Sequence, residues 1–193
     1  MSLNVDPIML EFPEQFETER LIVRATRPGD GAELNAAIRE SQQELAPFMP
    51  FARVLPEPEA TEKLMRQKRL EFLGRTDLMM LMTDRETGRI LGASGLHRFD
   101  WEARRFEIGY WVRTSFAGRG LVTEAVHGLT RFAADELGAN RVEIRCDDRN
   151  VRSAAVAVRA GFALEGVLRS WRREEDGTLV SDKVFAKIRG VDF

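Results

Sequence analysis

The residues with the most chemical potential fall in two short stretches. Gly118-Arg119-Gly120 stands just ahead of a helical repeat. Two glycines one residue apart let backbone come close to a ligand with no Cβ in the way, and the first amides of a helix are unpaired and partly positive. A diphosphate suits such a cradle, and Arg119 adds a full charge. The same triplet also serves as a plain strand-to-helix turn. Further on, Asn150 and Ser153 stand three apart at a helix start. That spacing fits two side chains presented together, or an N-cap whose side-chain oxygen accepts from a backbone amide. A dinucleotide fingerprint would need a third glycine, and a Walker loop would need a lysine. Cys146, the only cysteine, lies in an alternating pattern and reads as a buried, inert thiol. His97 and His127 are too few for a zinc cluster, so no metal is expected. His97 ends a strand-like run, where a histidine is either a surface residue or the wall of a pocket.

The elements that must position these groups follow from periodicity. The chain has 193 residues, 44% of them hydrophobic, enough for one domain over 1–193 with a buried core. Basic and acidic residues number 29 and 31 without a block of like charge, so no nucleic-acid footprint is visible. No apolar run is long enough for a membrane helix and no basic-then-apolar leader opens the chain; a cytoplasmic location is expected. Residues 1–17 read as an irregular segment, its first three as an expression remnant. Strand patterns cover 20–24, 78–83, 89–96, 106–113, 141–146, 162–171 and 179–188. Helical patterns cover 28–45, opened by Pro28, then 58–74, 118–138 and 152–160. Prolines 47 and 50 make the intervening 47–51 a loop. The helix between 113 and 141 is a crossover, which makes the strands flanking it parallel neighbours in a mixed sheet.

Taken in order, Glu107-Ile108-Gly109-Tyr110-Trp111-Val112, Gly118-Arg119-Gly120-Leu121-Val122-Thr123-Glu124-Ala125, Asn150-Val151-Arg152-Ser153 and Ala160-Gly161-Phe162 resemble the GNAT N-acetyltransferases. Within them the likeness is to the RimJ and RimL branch, which acetylates ribosomal proteins. It spans residues 18–189, and Leu45-Ala46-Pro47-Phe48-Met49-Pro50-Phe51 is similar to the aromatic, proline-flanked loop of that branch. The resemblance implies an α/β (α+β) fold: a mixed, mostly antiparallel sheet of about seven strands, splayed at a V-shaped cleft and flanked by about four helices.

It also implies acetyl-CoA as cosubstrate, lying where two parallel strands part. By similarity the pantetheine arm follows Trp111, Val112 and Arg113, and the diphosphate sits on Gly118, Arg119, Gly120, Leu121 and Val122. The family often has Gln or Arg three positions before its first glycine; here Ser115 stands there. Asn150 would meet the pantetheine region, and the Ser153 hydroxyl would protonate the leaving thiolate. Many relatives use a tyrosine for that step, whereas the only tyrosine here, Tyr110, is on the earlier strand. Glu107 opens the strand bordering the thioester, where a partly desolvated carboxylate suits a general base. Phe48, Met49, Phe51 and His97 are the candidate acceptor-site residues. Some ribosomal-protein enzymes carry a glutamate in the strand after the Gly-Phe pair; Arg172 takes that place here, with Glu174 and Glu175 later. The implied reaction is direct attack of a primary amine on acetyl-CoA, with a protein N-terminal α-amine as first acceptor. A small amine or aminoglycoside acceptor, and a non-catalytic CoA-binding module, are the alternatives. No nucleic acid, membrane or metal partner is implied, and a homodimer is left open.

Overall fold

Period-two patterning yields eight strands in the computed structural model, which describes residues 6–193. They are β1 (Gln15–Glu17), β2 (Leu21–Ala25), β3 (Leu78–Asp84), β4 (Ile90–Asp100), β5 (Arg105–Val112), β6 (Arg141–Asp147), β7 (Ala163–Arg173) and β8 (Leu179–Ile188). The α-helices are α1 (Gly31–Glu40), α2 (Gln42–Leu45), α3 (Pro58–Leu73), α4 (Leu121–Asp135) and α5 (Val151–Arg159). The strands form one sheet in the order β1-β2-β3-β4-β5-β6-β8-β7. Only β5 and β6 run parallel; the other neighbours are antiparallel. The mixed, mostly antiparallel GNAT-type sheet expected from the sequence is thus present, with one strand and one helix more than anticipated.

Each departure has a local cause. The segment 1–17, expected to be irregular, contains β1, because Phe16 packs on Phe132 of α4 at 5.5 Å between ring centres while its backbone pairs with Val23. Residues 1–5 of that segment lie outside the described residues. The 28–45 helix does not open at Pro28. Gly29 takes φ +99°, which ends any helical run, and the Glu62 carboxylate accepts from the amides of Gly29 and Gly31. The same helix breaks at Ser41, whose hydroxyl accepts from the Thr114 amide at 3.0 Å and so ties the break to the end of β5. The 118–138 helix begins only at Leu121, since Gly118 (φ +76°) and Gly120 (φ +79°) are both left-handed.

Alternation along β5 divides the molecule into two sides. Phe106, Ile108, Tyr110 and Val112 face a core shared with α4 and α5, including Leu121, Val126, Leu129 and Val156. Trp111 faces the opposite way, into a cluster with Leu34, Ile38, Leu45 and Met65 from α1, α2 and α3. Consecutive residues of one strand therefore serve two different faces of the sheet.

Candidate active site

The parallel pair β5–β6 is registered only at Arg105↔Arg141, Phe106↔Val142 and Glu107↔Glu143. Beyond Glu107 the two strands part, while each keeps its antiparallel partner, β4 or β8. This is the split that an extended ligand can enter. On the α4 side of it, none of the amides of Gly118, Arg119, Gly120, Leu121, Val122 and Thr123 donates to a protein acceptor among the described residues; the first such bond runs from Glu124 N to Gly120 O. Thr123 Oγ1 is likewise buried with no partner. A Cβ at Gly118 would meet nothing within 4 Å, so the cradle is open toward a ligand rather than crowded by the protein. Six free amides, an orphaned hydroxyl and a helix N-terminus are the donor set a diphosphate needs.

Glu124 fixes this turn in place. Its carboxylate accepts from Thr18 Oγ1 (2.6 Å), Arg20 N (2.8 Å) and Arg20 Nε (2.7 Å), and Arg20 Nη1 donates to Arg119 O (2.9 Å). Burial pushes the Glu124 carboxyl up, but these bonds outweigh it and hold it below its ordinary value. Beside the turn lies a cleft of about 470 Å³ lined by Thr18, Gly120, Thr123, His127, Arg131 and Arg159, among others. Sequence reasoning left out these basic residues, although Gly120, Glu124, His127 and Arg131 recur at helical spacing and mark one stripe of α4. Arg119 itself turns back, donating to Ser115 O and lying over the Phe116 ring. Leu121 is buried in the core and Val122 packs on it, so only their amides face the cradle.

Three hydroxyl and thiol groups converge on the same side of the split. Tyr110 OH lies 2.9 Å from Ser153 Oγ and donates to Ser153 O at 3.1 Å. Burial pushes the Tyr110 hydroxyl up to about 12, against the opposing effect of its Ser153 hydrogen bond. Cys146 on β6 belongs to the same core as Tyr110, and burial raises its thiol. Tyr110 was set aside at the sequence level, yet strand parity places it with Phe106 and Ile108 on the α5 side. Asn150 acts as the N-cap of α5, its Oδ1 accepting from Ser153 N at 3.0 Å.

The opposite face carries the remaining candidates. Phe51 lies tilted against Trp111 at 6.0 Å between ring centres, Met49 packs against the same cluster, and Phe48 is half-buried in the loop. The Arg113 side chain turns toward α1, its Nε 3.4 Å from Glu40 Oε2, rather than into the split. Glu107 stands at the point where the strands part, paired with Arg98 and 3.6 Å from Arg145. Burial raises its carboxyl in spite of both arginines. His97 is directly opposite Glu107 in the β4–β5 register, and its Nδ1 lies 2.7 Å from Asp77 Oδ2. Arg53, just past the aromatic loop, pairs with Glu174, which also binds Arg172. Among the described residues no group of three His, Cys, Asp or Glu side chains is arranged to hold a metal ion, and no helix is long and apolar enough to cross a membrane.

The sheet parts beside a donor-rich helix start, and comparison with known proteins gives the family. Residues 20–163 match the acetyltransferase (GNAT) domain. The chain belongs to the GNAT acetyltransferases, and its likeness is to the RimJ/RimL-like branch. YdaF of Bacillus subtilis (strain 168), provisionally named a ribosomal N-acetyltransferase, is 32% identical over 153 residues, 78% of this chain and 82% of YdaF. Two solved structures share the fold. One is the microcin self-immunity acetyltransferase MccE with acetyl-CoA and AMP, at TM-score 0.84 and 22% identity, covering 92% of this chain and 97% of MccE. The other is RimL, a ribosomal alpha-N-protein acetyltransferase with coenzyme A, at TM-score 0.83 and 22% identity, covering 91% and 98%.

Proposed function

We propose that this acetyltransferase, one domain over residues 1–193, moves the acetyl group of acetyl-CoA to a protein N-terminal α-amine by direct attack on the thioester. The observation that carries the reading is the β5–β6 split flanked by the unbonded amides of 118–123. In it the diphosphate rests on those amides, the pantetheine arm follows Trp111, Val112 and Arg113, and Arg131 and Arg159 meet the outer phosphate. The α-amine of a protein, with a pKa near 8, yields a free amine at neutral pH far more readily than a lysine near 10.4. Glu107 accepts a proton from the attacking nitrogen. Ser153, with Tyr110 behind it, protonates the departing thiolate, a modest contribution because a thiol of pKa about 8.5 already leaves well. Phe48, Met49 and Phe51 wall the acceptor site.

The charge of the acceptor face supports a peptide over a polycationic aminoglycoside. Its carboxylates are matched by arginines: Glu143 by Arg141 and Arg145, Asp147 by Arg149 and Arg172, Asp182 by Arg172. A ribosomal-protein acceptor, suggested by the names of YdaF and RimL, would place the reaction in the cytoplasm. A homodimer belongs to the same reading, with Leu164, Val167 and Trp171 exposed on edge strand β7 for a second copy. Calorimetry with acetyl-CoA, followed by thiol-release assays over N-terminal peptides, polyamines and aminoglycosides, tests the proposal. Release with peptides alone supports it. Release only with small amines replaces the acceptor, and binding without release for any amine makes the chain a CoA-binding module.

A further inference from the structure

The acceptor face holds a histidine oriented by a half-buried carboxylate, with its other nitrogen at the mouth of the split. We propose that His97, positioned by Asp77, takes the first proton from the acceptor ammonium; this rests on the acetyl-transfer reading above. Asp77 lies 2.7 Å from His97 Nδ1 and 3.4 Å from Lys68 Nζ. Burial pushes its carboxyl up, yet His97 and Lys68 outweigh burial and hold it below the usual range. A carboxylate only accepts, so Nδ1 carries the hydrogen, and in the neutral ring the lone pair lies on Nε2.

The ring lies over two glycines that face each other in register, Gly95 and Gly109. A Cβ at Gly109 would come within 2.9 Å of His97 Cδ2 and 3.1 Å of Nε2, and one at Gly95 within 3.2 Å of Nε2. A larger residue at Gly109 displaces the imidazole, whereas at Gly95 a Cβ first meets Leu78 O at 2.4 Å, so Gly109 forms the seat of the ring. Gly109 lies just past Glu107, the last β5 residue paired with β6, which puts Nε2 over the throat of the split. Trp111, with Phe51 tilted against it, is the next residue on that face. The His97 side chain is 29% exposed, so an acceptor arriving from solvent reaches it. A bulge follows at once: Arg98 takes φ +48°, and its side chain also reaches Glu107. Bulges of this kind re-aim side chains beside active sites.

Proton accounting gives the dyad a separate task from Glu107. An acceptor ammonium brings three N–H protons and the product amide keeps one. His97 Nε2 takes the first and passes it to water, leaving the nitrogen lone pair free to form the C–N bond. The C–S bond then breaks with its electron pair on sulfur. Glu107 takes the second proton from nitrogen and yields it to water, while the Ser153 hydroxyl protonates sulfur and is restored by a proton from water. Two protons leave nitrogen, one is gained by the thiol and one is released.

The test uses the full chain. His97→Asn keeps a donor toward Asp77 and removes Nε2. With wild-type turnover established on a peptide, kcat/KM for that peptide should fall about 100-fold near pH 7. The deficit should shrink as pH rises toward the amine's own pKa, with KM for acetyl-CoA unchanged. Charged groups around the ring that shape the profile are Asp77, Lys68 and Glu71 from the α3 side, Arg98 on β4, Glu107 on β5 and Arg145 on β6. Asp77→Asn should cause a smaller fall with the same pH signature. A His97→Asn enzyme within about threefold of wild type with an unaltered profile overturns the dyad and leaves acetyl transfer standing. Wild-type inactivity toward every amine instead overturns the acetyl-transfer reading and the dyad with it. Nitrogen NMR adds a readout free of turnover: His97 should be the Nδ1–H tautomer and change in Asp77→Asn, and an Nε2–H tautomer in wild type refutes the proposal.

Discussion

Gly120 is the position where a single side chain should separate backbone strain from ligand contact. It caps α4 with φ +79° and ψ 0°, and a Cβ there would meet only Arg20 Nη2, at 3.6 Å. The protein therefore has room for a side chain, and the cost of Gly120→Val is conformational. A left-handed backbone costs an L residue about 1–2 kcal/mol, and a β-branched one falls at the upper end. About 2 kcal/mol corresponds to roughly 30-fold in CoA affinity if the turn relaxes and carries its amides away from the diphosphate. Gly120→Asn tolerates the same φ at little cost but still puts a side chain into the cradle. Calorimetric titration of both variants with CoA, each checked for a cooperative thermal transition, decides the matter. Equal losses mean the ligand occupies the space above Gly120; a loss confined to valine means strain alone. Wild-type affinity in both folded variants refutes the cradle, and the functional reading goes with it.

Three further outcomes are expected. Ser153→Ala and Tyr110→Phe should each lower kcat about tenfold with CoA affinity nearly unchanged, measured by thiol release and calorimetry, since they act on the leaving group rather than on binding. Glu124→Gln should cost about 2 kcal/mol by loss of charge-assisted bonds, lowering Tm by about 4–8 °C in a scanning calorimeter. Because the Glu124 carboxyl is depressed in the folded chain, its stabilising contribution is complete above its unfolded value and is lost as pH falls through the folded one. The difference in Tm between wild type and Glu124→Gln should therefore shrink in acid. Arg53→Ala frees the aromatic loop from Glu174 and should raise KM for the acceptor several-fold without changing KM for acetyl-CoA.

The sequence displayed the fold through features that are local: alternation in the strands, the 3.6-residue stripe of α4, and glycines at 118 and 120 that take left-handed geometry without strain. What it hid depended on long-range contacts. β1 is three residues long and exists because Phe16 finds Phe132, far away in the chain. The break at Ser41 depends on a bond to Thr114. Strand parity could have recovered Tyr110, because an even-numbered residue between Ile108 and Val112 must share their side of the sheet. No such local rule reaches Asp77: it lies in the turn before β3, and its tie to His97 is set by the β3–β4 register.

In the proposed reaction, these placements give the two faces of one split opposite ends of the chemistry. The α5 side holds Tyr110, Ser153 and Cys146, two hydroxyls and a thiol, groups able to give hydrogen to a departing sulfur. The other side holds Glu107 and the His97–Asp77 pair, groups with lone pairs to receive hydrogen from an incoming nitrogen. A strand that alternates its side chains across the sheet is the simplest device for keeping donors and acceptors apart: Glu107 and Tyr110, three residues apart on β5, project to opposite faces. An acceptor entering from the α5 side would meet donors where it needs a base. On that proposal the direction of approach follows from the parity of β5, and a shift of one residue in its register with β4 would exchange the two roles.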